Sequence, residues 1–488
     1  MTPSIQAAGS DRLSSSSVTV AYSLLGVWTL YLLLAPTTGF SWIESWHNEQ
    51  RAAQIVLLAL TAALFAGLTA FGPDQIRTRL QLPGWWWAFI AVGVVSALLS
   101  TMPFAAFAEI ALFILLSTLV VLTAALTMSQ PERMAQAARY WAVLIAGAHV
   151  LAVLVRYVAA LHIDKDVDLS VFMLGYANPR FASALYAVVM PFVAATVINP
   201  LERRLLRVAA FASLCLLWTI NLGLGTRGIW FAYALAAPAL LLLIGGRRLA
   251  RVVAALAVTA LIGLVVFIAL TVSPSAGTSA TGGLPAVSER LQTLTSREVL
   301  WELSWNAIVQ HPVLGLAPMH FATLKSHVGA HPHNWLLQVA SEWGLIALTI
   351  LFFGLAKVAK RLRSVGRSVH GFGTEAALAV AAALAYGLVD GNLVMPVSQT
   401  AAALALGLAV GSLDGGEANR PAPGLPAAAI GTVAIAAAVV VCAYAAQSFP
   451  DQPRTTAAFR ADFPRDWLVP RFWEQGLLWP SSDSEAAR

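Results

Sequence analysis

The sequence predicts an all-α, polytopic integral membrane protein of about 12–13 transmembrane helices, with a large extracytoplasmic loop that carries short amphipathic helices. Three observations predict it. Of the 488 residues, 58% are hydrophobic and only 11% charged, whereas about a quarter of a soluble protein is charged, so most of this chain cannot face water. Apolar runs near the roughly 20 residues needed to cross a bilayer recur along its length. The basic residues concentrate in alternate loops between those runs, as they do when Lys and Arg are retained on the cytoplasmic side.

The apolar runs place spans at 18–35, 52–71, 85–103, 107–127, 140–161, 182–199, 207–224, 228–245, 252–272, 336–356, 376–394, 399–413 and 427–446. The first run ends at Ala35-Pro36 without a small-x-small cleavage pattern, so it reads as a retained span rather than a signal peptide. Loops carrying Arg77 and Arg79, Arg133 and Arg139, Arg203, Arg204 and Arg207, Arg247, Arg248 and Arg251, and Lys357 to Arg367 alternate with loops poor in Lys and Arg. The basic set and the N-terminus are therefore expected in the cytoplasm. The other set, 36–51, 162–181, the turn Thr226-Arg227-Gly228, the segment 273–335 and the tail 447–488, is expected outside. The chain thus divides into 1–272 (nine helices), 273–335 (the outer loop), 336–446 (four helices) and 447–488 (an outer tail).

Composition narrows the function classes. Cys215 and Cys442 both lie in apolar runs as small core residues, with no spacing for a disulfide framework or a metal knuckle. Many of the 16 tryptophans, among them Trp42, Trp46 and Trp85 to Trp87, fall near span ends and are expected to anchor at the headgroup level. No nucleic-acid partner is expected, and no inverted repeat of the kind common in secondary transporters is visible.

The outer segment 273–335 is far longer than an ordinary connection. Residues 273–284, SPSAGTSATGGL, are low-complexity and expected to be flexible. Thr295-x-x-Glu298 is a capping box that opens REVLWELSWNAIVQ. Val299, Leu300, Leu303, Ala307 and Ile308 share one face of that helix, which should lie along the membrane surface, and Pro312 ends it.

The residues that carry chemistry are ionisable groups at the outer membrane edge. Arg227 sits in a tight turn between Gly225 and Gly228, Arg297 begins the loop helix where a cation opposes the helix dipole, and Arg180 and Arg156 add two more cations on the same side. Each alone is equally explained as a solvated or snorkelling arginine. Together they form a cradle suited to the oxygens of a lipid phosphate or diphosphate. His333 lies just before the tenth span, and imidazole is the side chain best able to exchange a proton near neutrality. Asn334, Gln338 and Glu342 follow at i, i+4 and i+8, a polar stripe directed into the bundle. Asp390, in GLVDGNLVMPVSQ, is expected as counter-ion to one of the arginines, with helix-end solvation as the alternative. A metal site among His311, His320, His327, His331 and His333 is disfavoured, since an H-x-H pair without cysteine or clustered aspartate is a poor ligand set. Glu44 and Glu49 in the first outer loop do not form the acidic pair of metal-dependent membrane glycosyltransferases. The tail sequence DFPRDWLVPRFWEQGLLWP is expected to pack on the surface or contact an acceptor, with no catalytic role.

His333-Asn334 followed after nine residues by Gly344 resembles the signature of bacterial O-antigen ligases and of the related O-antigen polymerases and protein O-oligosaccharyltransferases. GTRGIW resembles the family's arginine-containing turn, and SREVLWELSWNAIVQHPVLGL its loop segment with an arginine, a tryptophan and Pro-x-x-Gly; the resemblance spans roughly residues 170–410. At Ala347 the chain departs from relatives that often carry Gly, Thr or Tyr three residues after the motif glycine. The resemblance, with the ligase branch favoured, implies a glycan donor on undecaprenyl diphosphate, a lipid A-core acceptor with a growing glycan or a protein hydroxyl as the alternatives the motifs do not separate, no metal or other cofactor, and an inner-membrane protein whose site faces the periplasm. It also implies that Arg227 and Arg297 hold the diphosphate and His333 is the base on the acceptor hydroxyl. Arg180, Asn334 and Asp390 extend that expected substrate site. A transporter or flippase that grips a lipid phosphate with the same arginines is the alternative from another class.

Overall fold

A computed structural model describes residues 15–37, 39, 45–72, 79–163, 174–272, 295–324, 326, 328–365, 373–413, 426–464 and 468–478. The expected flexibility of 273–284 and the positions of Trp42, Glu44, Arg77, His327 and Arg367 lie outside these residues. The described chain is all-helical, without strands, as an all-α polytopic membrane protein should be. In order, α1 spans Ser15–Leu34, α2 Trp46–Phe71, α3 Gly84–Leu98, α4 Pro103–Ser129, α5 Pro131–His162 and α6 Pro179–Ile198. Then come α7 Arg204–Gly223, α8 Gly228–Leu243, α9 Arg247–Val272 and the loop helix α10 Thr295–Gln310. The short α11, Trp335–Gln338, runs through a π-helical turn, Val339–Trp343, into α12, Gly344–Val365. Finally α13 spans Gly373–Tyr386, α14 Pro396–Leu413, α15 Ala427–Ser448 and α16 Gln452–Asp462.

Each expected span coincides with an apolar helix. Nine helices among the described residues are long and apolar enough to cross a membrane, and Tyr22–Leu34, Gly84–Leu98, Gly228–Leu243 and Gly373–Tyr386 are shorter apolar helices. Because lipid offers helices no hydrophobic drive to associate, close packing of small residues takes its place. Gly407 and Gly411 of α14 form such a seam: a Cβ at either would collide with Val120, Thr123, Ala124 or Thr127 of α4. α15 packs on α2 and α4, α13 on α6 and α8, α9 on α7, and α12 on α3.

Loops assigned by charge to the same side meet in space, and one of them also meets the end of α13 at Gly387. Gly175 N–H donates to Pro36 O at 2.7 Å, Gln50 Nε2 to Gly175 O at 2.8 Å, Trp335 N–H to Gly387 O at 2.9 Å, and Leu478 N–H to Ala322 O at 2.9 Å.

Several expectations are corrected. The helix expected over 376–394 ends at Tyr386, because Gly387, Asp390-Gly391 and Asn392 favour turns, and residues 387–395 form a packed loop. On α10 the buried face is Leu300, Ser304, Ala307 and Ile308, while Val299 is exposed together with Trp301 and Trp305. The helix opens at Thr295 as expected, with the Thr295 side chain outside the described set. Trp85 to Trp87 are half-buried and also pack within the protein: Trp86 stacks on Phe89 at 5.4 Å and Trp85 covers Gly354. Cys215 is buried, but Cys442 faces outward from α15. Within the tail, the described residues 468–478 do not lie on the surface. Val469, Arg471, Phe472, Trp473, Gln475 and Leu477 are buried, and the segment inserts between α2 and the outer loop.

Candidate active site

His333 is held by local backbone geometry. In His331-Pro332-His333 the backbone of His333 adopts φ +54°, a left-handed conformation that non-glycine residues rarely take and that concentrates at functional sites. Its N–H donates to His331 Nδ1 at 3.3 Å, and the two rings lie 4.2 Å apart. Burial holds the His331 imidazole well below its ordinary pKa, and the electrostatic influence of His333, Arg471 and His47 pushes the same way. His331 is therefore a neutral strut.

Asn334 ends the turn as the cap of α11: its Oδ1 accepts from the N–H groups of Leu336 and Leu337 at 3.0 and 3.1 Å. Trp335 then ties α11 to the end of α13 through Nε1 to Leu384 O at 3.0 Å and its backbone bond to Gly387. That clamp brings the 387–395 loop beneath His333. His333 Nδ1 lies 3.2 Å from Asp390 Oδ1, and Gly391 N–H donates to the same oxygen at 2.7 Å.

Asp390 is only 4% exposed, which rules out helix-end solvation. Its partner is first His333 and second Arg180, whose Nε is 4.0 Å from Oδ2, so the expected arginine counter-ion role is the minor one. Burial by itself raises the pKa of the carboxyl; the hydrogen bond and electrostatic interaction with His333, the Arg180 guanidinium and the Gly391 N–H outweigh it, and the group sits below its ordinary value. A Cβ on Gly391 would overlap the His331 ring, so only glycine lets this loop approach.

Two of the predicted cations, Arg180 and Arg297, interact with Asp390, and Arg227 acts on Arg297. Arg297 is half-buried, and burial lowers its pKa; Asp390 and Tyr386 oppose that shift, whereas Arg180 and Arg227 reinforce it. Arg180 and Arg227, from separate elements, thus both act on Arg297, as does Asp390. Tyr386 organises them: its hydroxyl donates to Arg180 O at 3.0 Å and its ring fills the space a Cβ on Gly228 would need. Behind the Arg227 turn, the buried Ser183 hydroxyl bonds Asn221 Oδ1 and, at 2.5 Å, Thr226 Oγ1. No hydrogen bond or ion pair among the described residues joins Arg156 to this group.

The motif glycine has a separate purpose. Gly344 has φ +83°, and a Cβ there would overlap Val313 O, so the strand of backbone around Pro312-x-x-Gly315 lies directly against the π-helical turn. Leu345 N–H donates to Pro312 O, Leu316 N–H to Ser341 O and Ala317 N–H to Glu342 O, at 2.8 to 2.9 Å. The two sequence elements, Pro-x-x-Gly and Gly344, are a backbone-to-backbone joint.

The polar stripe does descend into the bundle, since Gln338 and Glu342 are buried. Sequence reasoning missed their partners. Arg471 Nη2 lies 2.7 Å from Glu109 Oε2 on α4 and 2.6 Å from Glu342 Oε2. Glu109 was visible as a lone acid inside an apolar run, itself a reason for attention. Arg471 sits in the polar tail and carries no such signal.

Residues 211–353 match the O-antigen ligase family model. The match supports the O-antigen ligase and polymerase superfamily without distinguishing a member. It runs from within α7 into α12 and contains Arg227, Arg297, His333, Asn334 and Gly344, while Arg180, Asp390 and Arg471 lie outside it. No curated protein matches the chain.

Proposed function

We propose that the protein is an inverting glycosyltransferase of O-antigen ligase type, which moves a glycan from undecaprenyl diphosphate to a hydroxyl of lipid A-core. The observation that carries this reading is the buried Asp390–His333 pair, with Arg180 4.0 Å from Asp390 and with Arg297 acted on by Asp390, Arg180 and Arg227. Gripping a lipid diphosphate requires only the cations. A carboxylate that orients an imidazole is what bond making requires.

With the Nδ1 proton donated to Asp390, His333 Nε2 is left to accept a proton from the acceptor hydroxyl. The freed oxygen attacks the anomeric carbon, the bond from that carbon to the diphosphate oxygen breaks, and undecaprenyl diphosphate departs with the electron pair. Direct attack inverts the anomeric centre. Arg227, Arg297 and Arg180 stabilise the charge that grows on the leaving diphosphate, and charged donors in a partly desolvated site are effective at this. Asn334 serves by capping the helix that presents His333. The reaction so written routes no step through a metal. The site faces the periplasm from the inner membrane, with the N-terminus in the cytoplasm, as the loop charges require.

The superfamily match is equally compatible with polymerisation or transfer to a protein hydroxyl. Purified protein, undecaprenyl-diphosphate glycan and lipid A-core in EDTA test the ligase reading, with His333→Ala and Arg227→Ala alongside. Glycan-bearing lipid A-core from wild type alone is the expected result. Product only with a glycan or peptide acceptor reassigns the branch. Absence of any product, with His333→Ala still supporting surface glycan in cells, overturns transfer in favour of transport.

A further inference from the structure

We infer that the C-terminal segment 468–478 is a strut of the active site and that Arg471 is a positioning residue for His333. The inference rests on the functional reading above for its kinetic consequence alone; the structural claim stands separately.

The segment is pinned on two sides. Toward α2, Arg51 Nε donates to Phe472 O at 3.0 Å with its guanidinium over the Phe472 ring, and Glu474 N–H donates to Asn48 Oδ1 at 2.7 Å. Toward the outer loop, Leu478 N–H donates to Ala322 O. Between these anchors the chain doubles back, Arg471 N–H to Trp473 O at 2.9 Å and Gly476 N–H to Val469 O at 3.1 Å, which aims the Arg471 side chain into the bundle. There it is 2% exposed.

What it meets is the underside of α11 and the π-helical turn, which follow directly on the turn that holds His333. One Nη2 contacts both Glu109 and Glu342, and the Gln338 amide oxygen, in the orientation that satisfies its neighbours, accepts from both Arg471 Nη atoms at 3.1 and 2.9 Å. Gln338 closes α11 and Glu342 lies in the π-helical turn. Glu342 Oε1 in turn accepts Phe321 N–H at 2.9 Å, which joins the outer loop to the same point. The helix that follows the His333 turn is therefore fixed at its front by Trp335 on the Asp390 loop and at its base by Arg471.

Two buried carboxylates and one amide converge on a single guanidinium. A planar fork can serve several acceptors at once, whereas an ammonium offers a point charge. A helix base released from this clamp lets the imidazole drift from Asp390, and displacement of about 1 Å in such a pair costs about 10²-fold in rate.

The test uses the full-length protein with Arg471→Lys, Arg471→Met, and Arg471→Met combined with Glu109→Gln and Glu342→Gln, which leaves no unpaired buried charge. Hydrogen exchange of 333–343 against the Arg227 turn, and kcat against donor KM, are measured on variants that elute as folded protein. Expected for folded Arg471→Lys and for the triple variant are faster exchange confined to 333–343, kcat lower by about 10–100-fold and donor KM within about 3-fold. Either variant folded with exchange and kcat like wild type overturns the inference. So does failure of all variants to fold, which makes Arg471 a cornerstone of the fold rather than a positioning group. If wild type transfers no glycan, the exchange arm still decides the strut while the functional reading falls.

Discussion

His333 and Asp390 stand 57 residues apart in the chain and 3.2 Å apart in space, joined by Nδ1 and Oδ1. The pair exists because two unrelated local structures meet: a strained turn that presents the imidazole and a glycine-bearing loop that ends α13. Neither makes sense as a proton-handling device without the other.

Asp390→Asn preserves size and most hydrogen bonding but removes the charge that favours the Nδ1–H tautomer and stabilises an imidazolium. Expected is a fall in kcat of about 10²–10⁴-fold with little change in donor binding. The double variant with His333→Ala should be no worse than His333→Ala alone, since the two act as a unit. A fully active Asp390→Asn in the transfer assay sinks the dyad.

The arginines should respond differently. Each charge-assisted hydrogen bond to a diphosphate is worth about 1.5–3 kcal/mol, so Arg227→Ala or Arg297→Ala should weaken donor binding by about 10–100-fold. Lysine at either position should recover only part of it, because a bidentate fork is lost. Binding of undecaprenyl diphosphate to purified variants, read by titration, checks this without turnover.

Gly344→Ala should destabilise the protein. The position has φ +83° and its Cβ would overlap Val313 O, backbone that cannot move aside. A penalty of at least about 1–2 kcal/mol follows from the left-handed backbone alone. Thermal unfolding in detergent should show a lower midpoint, and an unchanged one would mean the Pro312–Gly315 joint is looser than its geometry.

Stability should fall on mild acidification. Burial keeps the folded-state pKa of His331 well below its ordinary 6.5, so below that pH the unfolded chain binds the proton that the folded chain refuses. Stability therefore rises with pH through this window, and the contribution is complete above the ordinary value. His331→Gln should flatten the dependence of the unfolding midpoint between about pH 5 and 7. An unaltered slope would assign the acid sensitivity elsewhere.

Much of the site was legible as residue types. Arg180, Arg227, Arg297 and His333 stood out because charged groups at a membrane edge are costly to keep and few in number. The structure adds a helix-capping role for Asn334 and, for Asp390, a His333 partner beside the arginine counter-ion role that its Arg180 pair bears out. Glu109 was within reach of the same logic, as an acid in the apolar run of α4, and Arg471 was not, since nothing in a polar tail distinguishes a plug from a surface coil.

The sequence by itself determined where the chain is helical, which runs are apolar enough to span and which charged groups fall at the ends of those runs. These are properties of single residues and short windows: hydropathy, charge and the period of a helix. Only the tertiary structure decided who partners whom. Asp390 meets His333 across 57 residues and Arg471 meets Glu109 across 362. Such pairings follow from how helices pack and loops fold back, and the energy that makes them obligatory, the cost of an unpaired charge away from water, arises only once the bundle has closed around them.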